Sequence, residues 1–136
     1  MSTEMAKQWV IASHLDLENI RYILQVVHLT PVVAFHSQQA IEKVLKAYME
    51  HSEVEIPKTH KLQTLLDRVE LVFEVDDNTL QLIDKLYIDS RYPGNMGLLP
   101  YGQPTLQDAQ IFYETAQYIF DTVCTNINIA ITEENC

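Results

Sequence analysis

Between Pro31 and Met49, apolar and polar positions recur with the period of an α-helix. Steps of roughly 100° per residue put Val33, Ala34, Ser37, Ala40, Ile41, Val44, Leu45, Ala47 and Tyr48 on one broad arc, which predicts core. Gln38, Gln39, Glu42, Lys43 and Lys46 fall on the remaining arc, with Glu42 and Lys46 in the acid-first i,i+4 order that supports a helix. Phe35 and Met49 interrupt this polar arc. A solvated face is the usual fate of such an arc. Two apolar side chains among amides, a carboxylate and ammonium groups nevertheless make a mixed surface suited to a partner or ligand.

The same period predicts helices on either side. From about Glu4 to His28, a stripe of Trp9, Ala12, Leu17, Ile20, Ile23, Leu24 and Val27 predicts a first helix, with Asp16 on its margin. That carboxylate is expected at the exposed edge, or else paired with a cation on a neighbouring helix. Thr30-Pro31 predicts an N-cap followed by the first position of the central helix, so the first two helices are expected to be antiparallel neighbours. His51 to Lys58 reads as a surface connection. Thr59 is expected to cap a helix of about three turns, from His60 to about Leu71, with Leu62, Leu65, Leu66 and Val69 inward. Asp76 or Asp77 should cap a fourth helix carrying Leu80, Ile83, Tyr87 and Ser90 along one line, with Leu86 beside it.

From Pro93 to Pro104 lie all three glycines and three of the five prolines, which predicts a loop. Thr105 and Asp108 have capping-box spacing. A long last helix follows, with Ala109, Phe112, Tyr113, Ala116, Ile119, Phe120, Val123 and Ile127 inward, and Thr132 to Cys136 are expected to fray. Leu71 to Val75 is too short to make a sheet. The expected fold is all-α, an antiparallel up-and-down bundle of four to five helices.

Composition narrows the function classes. A chain of 136 residues is expected to form one domain around one core. Its net charge of −10 repels polyanions and argues against broad RNA or DNA binding. Cys124 and Cys136 form no metal or disulfide pattern. The five histidines, at 14, 28, 36, 51 and 60, are scattered, so neither a metal nor a cofactor is expected. Without a signal-like start or a run of about 18 apolar residues, a soluble, cytoplasmic protein with no membrane attachment is expected.

No phosphate-loop, dinucleotide, zinc-protease, hydrolase-elbow or calcium-loop motif occurs. Unusual residues concentrate at Tyr87-Ile88-Asp89-Ser90-Arg91-Tyr92-Pro93. Arg91 is the only Arg of the last 68 residues. At a helix end its guanidinium ordinarily serves the terminal carbonyls. Its functional use would be bidentate recognition of phosphate or carboxylate, with Tyr87 and Tyr92 supplying stacking and hydroxyl contacts. The ligand-binding candidates are therefore Gln39, Glu42, Lys43 and Lys46 with His60, Tyr87, Arg91 and Tyr92.

Phe35 through Tyr48, Thr59-His60-Lys61-Leu62 and Tyr87 through Pro93, with Trp9, Ala12 and Asp16 before them, resemble the HEPN domains of higher eukaryotes and prokaryotes over most of the chain. The resemblance implies an up-and-down bundle, often homodimeric and often encoded beside a minimal nucleotidyltransferase as a toxin–antitoxin-like pair, with nucleotide binding proposed for the family. Many members are metal-independent ribonucleases using an Arg followed four to six residues later by a His. Here no His follows His60, so Arg91 lacks that partner. Arg21 and His28 stand at a comparable spacing, on the first helix, where the family does not carry its pair. The reading is a non-catalytic member that dimerises and binds a nucleotide, a nucleotidyltransferase partner, or both. The alternatives are a ribonuclease using Arg91 with His60 or a tyrosine, and a plain oligomeric scaffold.

Overall fold

The structure, a computed structural model, describes residues 2–90 and 102–131. Its helices are α1 (Ser2–Ile23), α2 (Thr30–Ser52), α3 (Leu62–Leu66), α4 (Asp77–Asp89) and α5 (Leu106–Ile127), with a short 3₁₀ turn at Val27–Leu29 between α1 and α2. The all-α bundle is as the hydrophobic period predicts, and α2 is its axis, packed against α1, α5, α4 and α3. Every residue of the predicted apolar arc of α2, from Val33 to Tyr48, is buried. The backbones of α1 and α2 meet at small residues, where the Ser13 hydroxyl donates to the Ala40 carbonyl at 2.6 Å.

Helix boundaries differ from the sequence expectation in three places. The first helix stops at Ile23, because the β-branched Val26 and Val27 weaken propagation and the chain turns through Val26 N–H to Ile23 O. The buried stripe of α1 accordingly runs through Ala6, Val10, Ser13, Leu17 and Ile20, while Val27 is 64% exposed. Thr30 does not cap α2. It is the first helical residue, and its buried hydroxyl donates to the Pro104 carbonyl at 2.6 Å, which ties the start of α2 to the chain entering α5. The predicted three-turn helix after Thr59 is only the five residues of α3, held by burial of Leu62, Leu65 and Leu66 rather than by its own propagation. Its N-cap is Lys61, which provides no side-chain cap, and Thr59 instead accepts from the Lys61 N–H.

The remaining elements follow the reading closely. Leu80, Ile83, Leu86 and Tyr87 form the buried line of α4. The capping box of α5 is present, with Thr105 accepting from the Asp108 N–H and Asp108 from the Thr105 N–H. Asn128 closes α5 in the left-handed conformation that asparagine tolerates. Among the described residues, no helix is long and apolar enough to cross a membrane. The expected loop from Pro93 and the fraying tail from Thr132 lie largely or wholly outside the described residues.

A candidate ligand site at the corner of α2 and α4

The polar arc of α2 does not face bulk water. Gln38 is fully buried and Glu42 is 5% exposed. Met49, expected among the polar residues, is fully buried in the core. The arc is covered because α1 on one side and the 53–61 connection on the other close over it, and the buried polar groups are satisfied from those elements.

Two buried carboxylates organise the arrangement. Asp16 of α1 accepts from Lys43 Nζ and from His36 Nδ1, each at 2.8 Å. Glu42 of α2 accepts from Lys46 Nζ at 2.7 Å, His60 Nδ1 at 2.9 Å and Gln38 Nε2 at 3.0 Å. Each carboxylate thus holds one ammonium group and one imidazole. Gln38 also donates to the His60 carbonyl at 2.8 Å, fixing the backbone of that residue, and Gln39 donates to Gln38 at 2.7 Å. Lys46 Nζ sits 5.2 Å from the centre of the Trp9 ring, within cation–π range.

The two imidazoles are the ends of a run of four rings. His36 meets Phe35 edge-on at 5.3 Å, Phe35 stacks on Tyr87 of α4 at 5.5 Å with 27° between planes, and Tyr87 meets His60 at 5.9 Å. The spacings suit attractive offset and edge contacts. At the His36 end an open, mainly apolar cavity of about 320 Å³ is lined by Pro31, Val32, Phe35, His36 and Ser90. That volume is at the small end of the range for small-molecule sites. The His60 side chain is 55% exposed, so the far end of the run is accessible as well.

Electrostatics follow from burial and partners. Burial by itself would raise the Glu42 carboxyl, but hydrogen bonds from Lys46, Gln38 and His60 and the Lys46 charge outweigh it and hold Glu42 below the ordinary carboxylate value. Asp84 of α4 goes the other way. Desolvation, reinforced by the neighbouring Glu42 charge, outweighs its hydrogen bond from the Leu62 N–H (3.0 Å) and the charge of Lys61, and pushes it up to about 6. The second Asp84 oxygen is buried without a hydrogen-bond partner.

Of the residues singled out in the sequence, Gln39, Glu42, Lys43, Lys46, His60 and Tyr87 fall at or beside this corner. Arg91 and Tyr92 lie outside the described residues. Asp16 takes the paired alternative, at 6% exposure. Sequence reasoning did not place His36 or Asp84 in the site. For His36 the available signal was its position next to Phe35, and for Asp84 its place directly after Ile83 of the buried line. Arg21 is engaged elsewhere, donating to the Tyr113 hydroxyl at 3.1 Å and to Gln117 Oε1 at 3.3 Å. It clasps α1 to α5, and this hydrogen bond to Tyr113 reinforces its charge. Cys124 is buried, which pushes its thiol up to about 12 and leaves it unreactive. Among the described residues, no group of three or more His, Cys, Asp and Glu is arranged to hold a metal ion.

Comparison with known proteins agrees with the architecture. The family model described as the HEPN domain matches residues 6–127. The crystal structure of an archaeal HEPN homologue superposes with a TM-score of 0.62 at 25% identity, covering 90% of this chain and 97% of that one. No curated protein sequence matches.

Proposed function

The chain belongs to the HEPN domain family, and we propose that it is a non-catalytic member that binds a nucleotide at the corner of α2 and α4. The supporting observation is the ring series His36, Phe35, Tyr87, His60, anchored at both ends by buried carboxylates and opening at one end into a cavity lined by Phe35 and His36. A nucleobase stacks on an aromatic face and buries a mostly apolar ring, whereas its phosphate suits the half-exposed His60 at the far end of the run. A mononucleotide carries few charges, so the net charge of −10 opposes it far less than it opposes a nucleic-acid polyanion. In this reading Asp16 and Glu42 are positioning residues. They fix which face of each imidazole is presented, as carboxylates do for histidines in many sites.

Calorimetric titration of the full chain with AMP and CMP tests this. Saturable binding is expected, weakened about 3–10-fold by Phe35→Leu, which keeps apolar bulk but removes the aromatic face. Absence of binding by both nucleotides would overturn the proposal. The proposal extends to a homodimer, in which a two-fold contact pairs like surfaces, and to a minimal nucleotidyltransferase as protein partner in a toxin–antitoxin-like pair within the cytoplasm. Light scattering and co-purification with that partner are the respective measurements.

One observation favours the enzyme alternative. Glu42 and a half-exposed His60 form a carboxylate–imidazole pair of the type used in general acid–base catalysis. An RNA-cleavage assay with His60→Ala decides between the two readings.

A further inference from the structure

The wall of the α2–α4 cavity carries two polar side chains, His36 and Ser90, among Pro31, Val32 and Phe35. The hydrogen-bonding state of both is set from behind. Ser90 donates its hydroxyl proton to the Tyr87 carbonyl at 2.8 Å, so only oxygen lone pairs remain for the cavity. His36 Nδ1 lies 2.8 Å from Asp16, an acceptor-only carboxylate whose counter-charge is already supplied by Lys43. Facing that acceptor, Nδ1 is the nitrogen that carries the proton in the neutral tautomer, in which Nε2 is an acceptor. Among the described residues, the lining of this small apolar cavity offers two acceptors and no side-chain donor, which selects a flat, largely apolar ligand with an N–H donor on its edge.

We infer that this cavity takes a nucleobase through its exocyclic amino group, held between Ser90 Oγ and His36 Nε2 with the ring against Phe35. Asp16 is the positioning residue that sets this preference by fixing the imidazole tautomer. The inference rests on the nucleotide reading given above and names the feature of the base that is read.

The experiment compares ligands differing only at that group: AMP against purine riboside 5′-monophosphate, and CMP against UMP, titrated into the full chain near neutral pH. The amino-bearing member of each pair is expected to bind about 3–10-fold more tightly, the worth of one hydrogen bond. Asp16→Asn is the diagnostic variant. Its amide oxygen still accepts from Lys43, while its amide nitrogen donates to Nδ1, which moves the imidazole proton to Nε2 and turns the acceptor into a donor. In that variant the preference for AMP and CMP should vanish or reverse. His36→Phe, which keeps a ring but no nitrogen, should reduce the preference without abolishing binding. Circular dichroism melts confirm that each variant is folded. If all four ligands bind the native chain equally, or if the preference survives Asp16→Asn, this inference is overturned and the nucleotide reading stands. If none binds, the nucleotide reading itself fails.

Discussion

Glu42 and His60 lie eighteen residues apart in the chain and meet at 2.9 Å, the carboxylate 5% exposed and the imidazole reaching it from the connection between α2 and α3. The contact fastens an irregular segment to the central helix by its one charge-assisted side-chain bond to Glu42, and the Gln38 bond to the His60 carbonyl doubles the attachment. Asp16 and His36 repeat the arrangement between α1 and α2. The bundle therefore carries two acid–imidazole–ammonium groups, each built on a buried carboxylate and joined through Phe35 and Tyr87.

Removing Glu42 should be costly. Glu42→Ala leaves the largely covered Lys46 ammonium without its carboxylate and unties the half-exposed His60, so a loss of about 3–5 kcal/mol is expected in denaturant melts. The pH dependence has a definite sign. A carboxyl held below its ordinary value of 4.5 contributes stability that is present above 4.5 and is lost as pH falls through the depressed folded value. Glu42→Gln should therefore flatten the acid limb of the stability profile and leave the alkaline limb unchanged.

Asp84 predicts the opposite behaviour. Its folded value of about 6 lies above the ordinary 3.8, so the fold favours the protonated form; the penalty is absent below 3.8 and fully present once pH exceeds about 6. Asp84→Asn keeps an oxygen for the Leu62 N–H and removes a charge beside Glu42. It should stabilise the protein at pH 8, on the order of 1–3 kcal/mol, and have little effect near pH 4. Thermal melts at the two pH values check this, and destabilisation at pH 8 would show that the charge is needed by the fold.

Leu45→Ala opens a cavity at a fully buried position of α2 and should cost about 2–5 kcal/mol. Its neighbour Lys46 is part of the fold as well. With its ammonium on Glu42 and only 16% of its side chain exposed, Lys46→Ala should cost about 1–3 kcal/mol rather than behave as a solvated lysine. Parallel urea melts of the two variants compare the apolar and polar arcs directly.

No ribonuclease activity is expected. Incubation of the pure protein with labelled single-stranded RNA should leave it intact, and His60→Ala and Arg91→Ala should be indistinguishable from the native chain. Cleavage lost on His60→Ala would move the Glu42–His60 pair from positioning to catalysis.

Much of this architecture is legible in the residue pattern, and the limits are physical. The apolar arc of α2 and the capping box of α5 are local properties, fixed by helical period and by side chains three residues apart. The burial of Gln38 and Glu42 is not local. It depends on α1 and the 53–61 connection supplying Asp16 and His60 from 27 and 18 residues away from their partners Lys43 and Glu42. A single helical projection cannot distinguish a solvated polar face from one covered by partners distant in sequence. The five-residue α3 is shorter than its leucine pattern predicts for a related reason, since those leucines are held by tertiary burial.

The most direct test of the α2–α4 site is chemical-shift mapping of the full chain during titration with AMP. The aromatic resonances of Phe35, His36 and Tyr87 and the amide of Ser90 are expected to shift together, with one saturation curve. Shifts confined to another surface, such as the cavity lined by Phe120, Cys124 and Ile129 at the end of α5, or no shifts at saturating AMP, would contradict it.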